Sequence, residues 1–409
     1  LPGETEPINV WRNQEKWVQE RQRQFPGSEP FWRLLQVLFK ASWRFQERDP
    51  VLPPRSFWDL KELVTALRPD TLVTVPFTLM TVGDALRLFG LGDNKRLKTF
   101  LDLQLKLYSQ VGTEETALLY AATALAVSQD PQGLYHLKGS MQVLSDRLVM
   151  ALEKYGGKLL MRHTVEKIEV ASGRAKSVTI REQKTGEIWT QEADQVVANV
   201  TAHNLVDLLG EAVPKGYKQR VEGLDYPSGA FVIYLGVDAT SIPEGCPPHL
   251  QFLYDYDGEI GENNSLFVSV SQPGDGRAED GKATIIASSF VDTKPWWEGS
   301  KEEYEELKAK YVESAIAHLS NYFNLTPETI IHTESATPRT FARFTARQQG
   351  IVGGLGQRVS TFGPFGFATR TPIDNLWLVG DSTHPGEGTA GVSFSALTVV
   401  RQIENLKVN

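Results

Sequence analysis

Apolar residues recur at helical spacing over the first part of the chain and then alternate. In FWRLLQVLFKASWRF (31–45), Phe31, Leu34, Leu35, Leu38, Phe39, Ser42 and Phe45 share one broad helical face, with Arg33, Lys40 and Arg44 mostly off it. Pro50, Pro53 and Pro54 end that segment. Residues 56–127 read as further helices. Among them LVTVPFTLM (72–80) is the most continuous apolar run, broken by Pro76, and LKTFLDLQLKLYSQV (97–111) repeats Leu97, Leu101, Leu105 and Tyr108 at turns. In SMQVLSDRLVMALEKYGG (140–157), Met141, Leu144, Leu148, Leu152 and Tyr155 form a stripe, and Gly156-Gly157 supplies a helix stop.

Strand-like runs follow: KLLMRH (158–163), TVEKIEV (164–170), KSVTIRE (176–182), EIWTQEA (187–193) and QVVANV (195–200), with turns at Gly173 and Gly186. A second set comprises GAFVIYLGV (229–237), HLQFLYDY (249–256), SLFVSVSQ (265–272) and ATIIASSF (283–290), with a solvated loop at 273–281. Residues 300–323 read as a surface helix with Glu and Lys at helical spacing. The chain closes with a strand at 376–379, the loop GDSTHPGEGTAG (380–391) and a helix over 391–406, with Val392, Ala396, Val399, Val400 and Ile403 expected to face inward.

With 409 residues, 41% hydrophobic and 22% charged, the chain is long enough for two or three domains and ordinary enough in composition to exclude disorder, collagen and coiled coil. A net charge of −8 and a pI near 5.5 argue against a nucleic-acid partner. The single cysteine, Cys246, sits in EGCPP without basic neighbours, so it forms neither an internal disulfide nor an evident reactive thiol. No run of about 18 apolar residues suits a membrane span. The seven histidines (136, 163, 203, 249, 318, 332 and 384) show no metal-ligand spacing, so no metal is expected. His384, in the C-terminal loop, is read as facing solvent or a backbone group. Arg343, Arg347, Arg358 and Arg370 either meet phosphates or, for at least two of them, cap helices or pair with acids.

Gly386, Gly388 and Gly391 match Gly-x-Gly-x-x-Gly, but this sequence has no room after them for the second strand of a dinucleotide-binding unit. Two readings remain. One is a helix N-terminus with bare N–H groups that suits a phosphate or an electron-rich ring that turns anionic on reduction. The other is a tight turn that packs a terminal helix.

NLWLVGDSTHPGEGTAGV (375–392) resembles the C-terminal flavin motif of the phytoene-desaturase branch of FAD-dependent amine-oxidase-like enzymes, which includes carotenoid desaturases and isomerases. LKGSMQVLSDRLVMALEKYGGKLLMRHTVEKIEV (137–170), QVVANVTAHNLVDLLGE (195–211) and GGLGQRVSTFGPFGFATRTP (353–372) agree with it in family order. FLDLQLKLYSQV, GLYHLKGSMQVLSDRL and GGLGQRVSTFGPFG are most similar to the cyanobacterial carotenoid 3′,4′-desaturases. The resemblance implies an α/β fold: an FAD/NAD(P)-binding three-layer domain, incomplete at its N-terminus, plus an α+β substrate domain. The expected parts are 1–138, helical and substrate- or membrane-facing; 139–225, part of the FAD domain; 226–334, the substrate-domain sheet and helix; and 335–409, the C-terminal part of the FAD domain.

For the site, the resemblance implies that Val165 meets the adenine through its backbone. Gly380 and Asp381 meet a ribityl or ribose hydroxyl, although Asp381 in a turn also serves simply to bond its own loop. Pro385 fixes the loop entry, and Gly388, Thr389, Ala390, Gly391 and Val392 lie along the flavin's pyrimidine edge. The family's opening Gly-x-Gly-x-x-Gly unit is absent from this sequence, so weak FAD binding is expected of these residues alone. The implied activity is desaturation of a lipophilic polyene by hydride transfer to FAD, with no catalytic base evident in the sequence and the electron acceptor open. The alternatives are a redox-neutral carotenoid cis–trans isomerase and a non-enzymatic carotenoid-binding or scaffold protein. A carotenoid partner implies peripheral contact with a membrane surface from the cytoplasmic side, through 31–45 or 72–91.

Overall fold

The computed structural model describes residues 1–135, 137–225 and 228–408, and side chains up to residue 406, so His136 lies outside it. In chain order the first helices are α1 (Gln14–Gln24), α2 (Glu29–Gln46) and α3 (Phe57–Ala66). A 3-10 turn (Leu72–Phe77) leads to α4 (Val82–Leu88), α5 (Lys95–Ser109), α6 (Leu118–Ala126) and α7 (Gln142–Lys154). Then come β1 (His163–Ala171), β2 (Arg174–Glu182), β3 (Ile188–Glu192), β4 (Val196–Ala198), α8 (Ala202–Leu209) and α9 (Lys215–Glu222). The second strand set is β5 (Gly229–Asp238), β6 (His249–Leu253), β7 (Ser265–Val270) and β8 (Lys282–Val291), followed by α10 (Lys301–Leu319), β9 (Ile330–Ala336) and α11 (Pro338–Thr345). The chain ends with β10 (Leu376–Leu378) and α12 (Thr389–Val408).

Contacts divide these residues into two compact units, one of 1–7, 135–161 and 228–352, the other of 8–134, 162–227 and 353–409. The first unit holds one antiparallel sheet in the order β6-β7-β8-β5-β9. Strict alternation sends Phe231, Ile233, Leu235 and Val237 to one face, where they pack with Val268, Ile285 and the α10 residues Ala315 and Leu319. A capping box at Ser300 and Glu303 starts α10. The second unit has two large cores. Phe31, Leu35 and Leu38 of α2 pack with Leu97 and Leu101 of α5 and Ala121 and Ala122 of α6. Ile168 of β1, Ala198 of β4, Leu205 of α8 and Leu376 and Leu378 of β10 make the other. There β10 pairs parallel with β4, Leu376 opposite Val196 and Leu378 opposite Ala198, while β1, β2 and β3 form an antiparallel sheet.

Several expectations shift. The strand-like run 158–163 forms no strand beyond His163, and its Leu159, Leu160 and Met161 are exposed. β9 and α11 were not foreseen. The helices expected to accompany the sheet of 226–334 cluster instead with 162–227 and 353–409. Polar ties explain this: Asp59 of α3 binds Arg370 and Gln402, and Arg401 of α12 binds Glu62 of α3. Helix α7 groups with the five-stranded sheet and buries none of its residues, so its apolar stripe faces out. On α12 the inward face is Ser395, Thr398, Val399 and Gln402, whereas Ala396 and Val400 are exposed. The inner face of α12 combines part of the expected stripe with polar positions: Val399 and Ile403 pack on Trp377 and Val379, while Ser395 and Gln402 are hydrogen-bonded.

Candidate functional site

Because β4 and β10 are parallel, their carboxyl ends lie side by side, and a helix starts beyond each. In α/β sheets that edge is where ligands bind. The two helix starts differ. At α8, the Thr201 side chain accepts from Asn204 N–H, and Ser382 Oγ accepts from Ala202 N–H. At α12, Val392 N–H closes the first turn on Gly388 C=O, so Gly388 is the N-cap and has no side chain to cap with. Gly388 has φ +88°, and a Cβ there would meet nothing within 4 Å; Thr389 and Ala390 are exposed as well. The α12 N-terminus is therefore open, with a positive dipole end and unshielded backbone.

The loop behind it is packed glycine on backbone. A Cβ on Gly391 would lie 2.4 Å from Gly386 C=O, and one on Gly380 would lie 2.5 Å from Asn199 Oδ1. A Cβ on Gly354 would lie 2.2 Å from Asp381 C=O. Ser395 Oγ accepts from Gly380 N–H at 2.9 Å, which ties the strand end to α12. Glu387 Oε2 accepts from Gln110 Nε2 at 3.1 Å and from Gly354 N–H at 3.2 Å. These contacts fix the loop before any ligand arrives.

The structure brings Gly380, Asp381, Pro385, Gly388, Thr389, Ala390, Gly391 and Val392 into this one loop and helix start. Val165 stands apart from them. It lies in the exposed first part of β1, next to a register shift, while the far end of the strand turns toward Asp374 through the Arg174 bridge. Val165 is six residues from that end at Ala171, roughly 20 Å of strand.

His384 corrects the sequence reading. It does not face solvent: it is 6% exposed, with the rings of Phe362 and Phe394 5.7 and 6.4 Å away. Gln46 Nε2 donates to its Nε2 at 3.2 Å, which leaves the proton on Nδ1, and Nδ1 has no partner among the described residues. Burial pushes this imidazole down to about 4, so it is neutral at pH 7. No sequence signal marks Gln46 as its partner, since the two stand 338 positions apart.

Of the four arginines, Arg358 pairs with Glu115 at 2.7 Å and Asp225 at 3.2 Å, and Arg370 with Asp59 at 3.0 Å. Cys246 is half-buried, and burial pushes its thiol up, away from reactivity. A cleft of about 450 Å³ in the unit that holds β4 and β10 is lined by Leu79, Thr81, Val359, Ser360 and Phe365 together with the Glu115–Arg358 pair. Among the described residues no group of His, Cys, Asp and Glu could hold a metal.

No family model matches the chain. A prolycopene isomerase of an Oncidium hybrid cultivar is 27% identical over 346 residues, covering 82% of this chain and 57% of that protein. A zeta-carotene-forming phytoene desaturase of Myxococcus xanthus is 24% identical over 394 residues, covering 94% of this chain and 73% of that protein. The chain spans a little over half the length of the isomerase. Among solved structures a putrescine oxidase variant superposes with a TM-score of 0.59 at 13% identity, covering 94% of this chain and 77% of that one. The chain is thus similar in sequence to carotenoid desaturases and isomerases, and its α/β fold with a second, sheet-based part is like that of the putrescine oxidase chain.

Proposed function

We propose that this chain carries the C-terminal flavin loop and the substrate domain of an FAD-dependent carotenoid oxidoreductase, acting as a desaturase on a lipophilic polyene. The observation that carries the proposal is the open α12 N-terminus at the carboxyl edge of the β4–β10 pair, next to an α8 N-terminus that is already capped. The residues present fit a flavin there. Gly388 leaves the backbone bare, Gly391 and Gly386 pack behind it, and the exposed N–H groups suit the edge of a ring that gains negative charge. Gly388, Thr389, Ala390, Gly391 and Val392 would hold that edge, and Asp381, in the same loop, would meet a ribityl hydroxyl.

When bound, the flavin supplies the hydride acceptor for desaturation. The chain's own contribution is position and exclusion of charge. The fixed loop sets the place of the ring, the neutral His384 adds no charge behind it, and the apolar wall of the Leu79–Phe365 cleft suits a hydrocarbon chain. Similarity to cyanobacterial carotenoid 3′,4′-desaturases, carried by the segments 100–111, 133–148 and 353–366, supports the finer assignment to that group. The second reading is a redox-neutral isomerase. The 27% identity to the prolycopene isomerase supports it.

Product analysis separates the two. The protein is incubated with FAD and a carotenoid in vesicles, and the product is followed by absorbance and mass. Loss of two hydrogens with a red shift supports desaturation. An altered spectrum at unchanged mass supports isomerisation. Unaltered carotenoid in the presence of bound FAD counts against both.

A further inference from the structure

Glu387 stands one residue before Gly388, the bare N-cap of α12. From Gly380 to Val400 the chain carries two acids, Asp381 and Glu387, and no lysine or arginine. Consecutive Cα atoms lie about 3.8 Å apart, so the Glu387 carboxylate is close to the open helix end. It is held there by other partners: Oε2 accepts from Gln110 Nε2 at 3.1 Å and from Gly354 N–H at 3.2 Å. Gln110 closes α5 at φ +67°, in the left-handed region that suits glycine or asparagine, and its side chain is 5% exposed. The carboxylate fixes the orientation of its amide: Nε2 faces Glu387, and Oε1 is a buried acceptor without a partner among the described residues. Gly353, at φ +72°, leaves the room, since a Cβ there would lie 2.3 Å from both Gln110 Nε2 and Glu387 Oε2. A glutamine in a strained backbone, a glycine and a backbone N–H thus converge on one carboxylate.

These two donors are neutral, so their bonds fix the carboxylate in place without cancelling its charge. Its field reaches the neighbouring side chains: burial, and after it the Glu387 carboxylate, pushes the Tyr120 phenol well above its ordinary value. We propose that Glu387 is a tuning residue of the flavin site, opposing the gain of negative charge on a ring held at the α12 N-terminus. The inference rests on the flavin reading of that helix end. The partial positive charge of the helix end favours a ring that has taken up two electrons and one proton and become anionic. A full negative charge beside the same end works against it. The two effects together set how strongly the site favours reduced over oxidised flavin.

The test is equilibrium dialysis of the 409-residue protein against FAD, once oxidised and once reduced with dithionite under nitrogen, at pH 8. The readout is the ratio of the two dissociation constants. Wild type is compared with Glu387→Gln and Glu387→Ala, which remove the charge, and with Glu387→Asp, which keeps it. Glutamine also keeps the size and an oxygen for Gly354 N–H, and circular dichroism and urea midpoints control for folding. In both neutral variants the reduced form should gain roughly fivefold over the oxidised form, relative to wild type, as the loss of one nearby charge implies. The aspartate variant should keep the wild-type ratio, even where both forms bind more weakly. A purely structural role would weaken both forms alike and leave every ratio unchanged. Neutral variants with the wild-type ratio, or an aspartate that shifts it as far as glutamine does, overturn the proposal while the flavin reading stands. Wild type that binds neither form of FAD overturns the flavin reading and this inference with it.

Discussion

His384 is neutral in the folded protein down to a pH of about 4, whereas in the unfolded chain it takes a proton near its ordinary value of roughly 6.5. Its folded value is depressed, so its contribution to stability is whole above roughly pH 6.5 and is lost as the pH falls toward 4. Between pH 7 and pH 5 this amounts to about 2 kcal/mol. Replacing His384 with Gln removes the titration, so the difference between the urea unfolding free energies at pH 7 and pH 5 should shrink by about that amount. An unchanged difference would mean that the imidazole is solvated. Asp59 is the other residue on which much converges. Asp59→Ala leaves the half-buried Arg370 guanidinium and the Gln402 amide without their acceptor, and should cost about 3–5 kcal/mol in urea unfolding. Neither role was legible in the sequence. A histidine in a glycine-rich loop and an aspartate in an amphipathic helix look like solvent-facing residues until their partners, 338 and 311 positions away, are brought beside them.

At the scale of elements, periodicity located stripes well and their direction poorly. The alternation in β5, β7 and β8 had one possible outcome, because a single helix, α10, covers one face of the sheet. The stripes of α3, α7 and α12 could point either way. Hydrogen bonding decided the first, where Asp59 and Glu62 find partners and Leu60 and Val64 turn outward; on α12, Ser395, Arg401 and Gln402 find partners beside Val399 and Ile403, which pack on Trp377 and Val379, and Val400 turns outward. β9 was missed because IIHTESA shows almost no apolar alternation; it forms by pairing along the edge of β5, from Val232 opposite Ala336 to Val237 opposite Ile330. The strand–loop–helix unit at 376–408 was legible, since an apolar strand, clustered glycines and a helical run each have their own signature. Its glycines should separate by role. Gly391→Ala drives a Cβ to 2.4 Å from Gly386 C=O and should lower stability by about 1–3 kcal/mol. Gly388→Ala meets open space and bears only the strain of its φ of +88°, about 1 kcal/mol. Thermal unfolding of the two variants side by side checks the order.

For the whole molecule the account rests on the α12 N-terminus as a flavin site. A flavin titration of the 409-residue protein, followed by quenching of flavin fluorescence, tests this most directly when wild type is compared with Gly388→Val. Valine at 388 places a branched side chain on the bare backbone where the ring edge is proposed to lie, while the loop behind it stays packed through Gly386 and Gly391. The account predicts saturable, weak quenching by wild type and at least tenfold weaker binding by Gly388→Val, with circular dichroism spectra that match. Identical titration curves for the two proteins would contradict it.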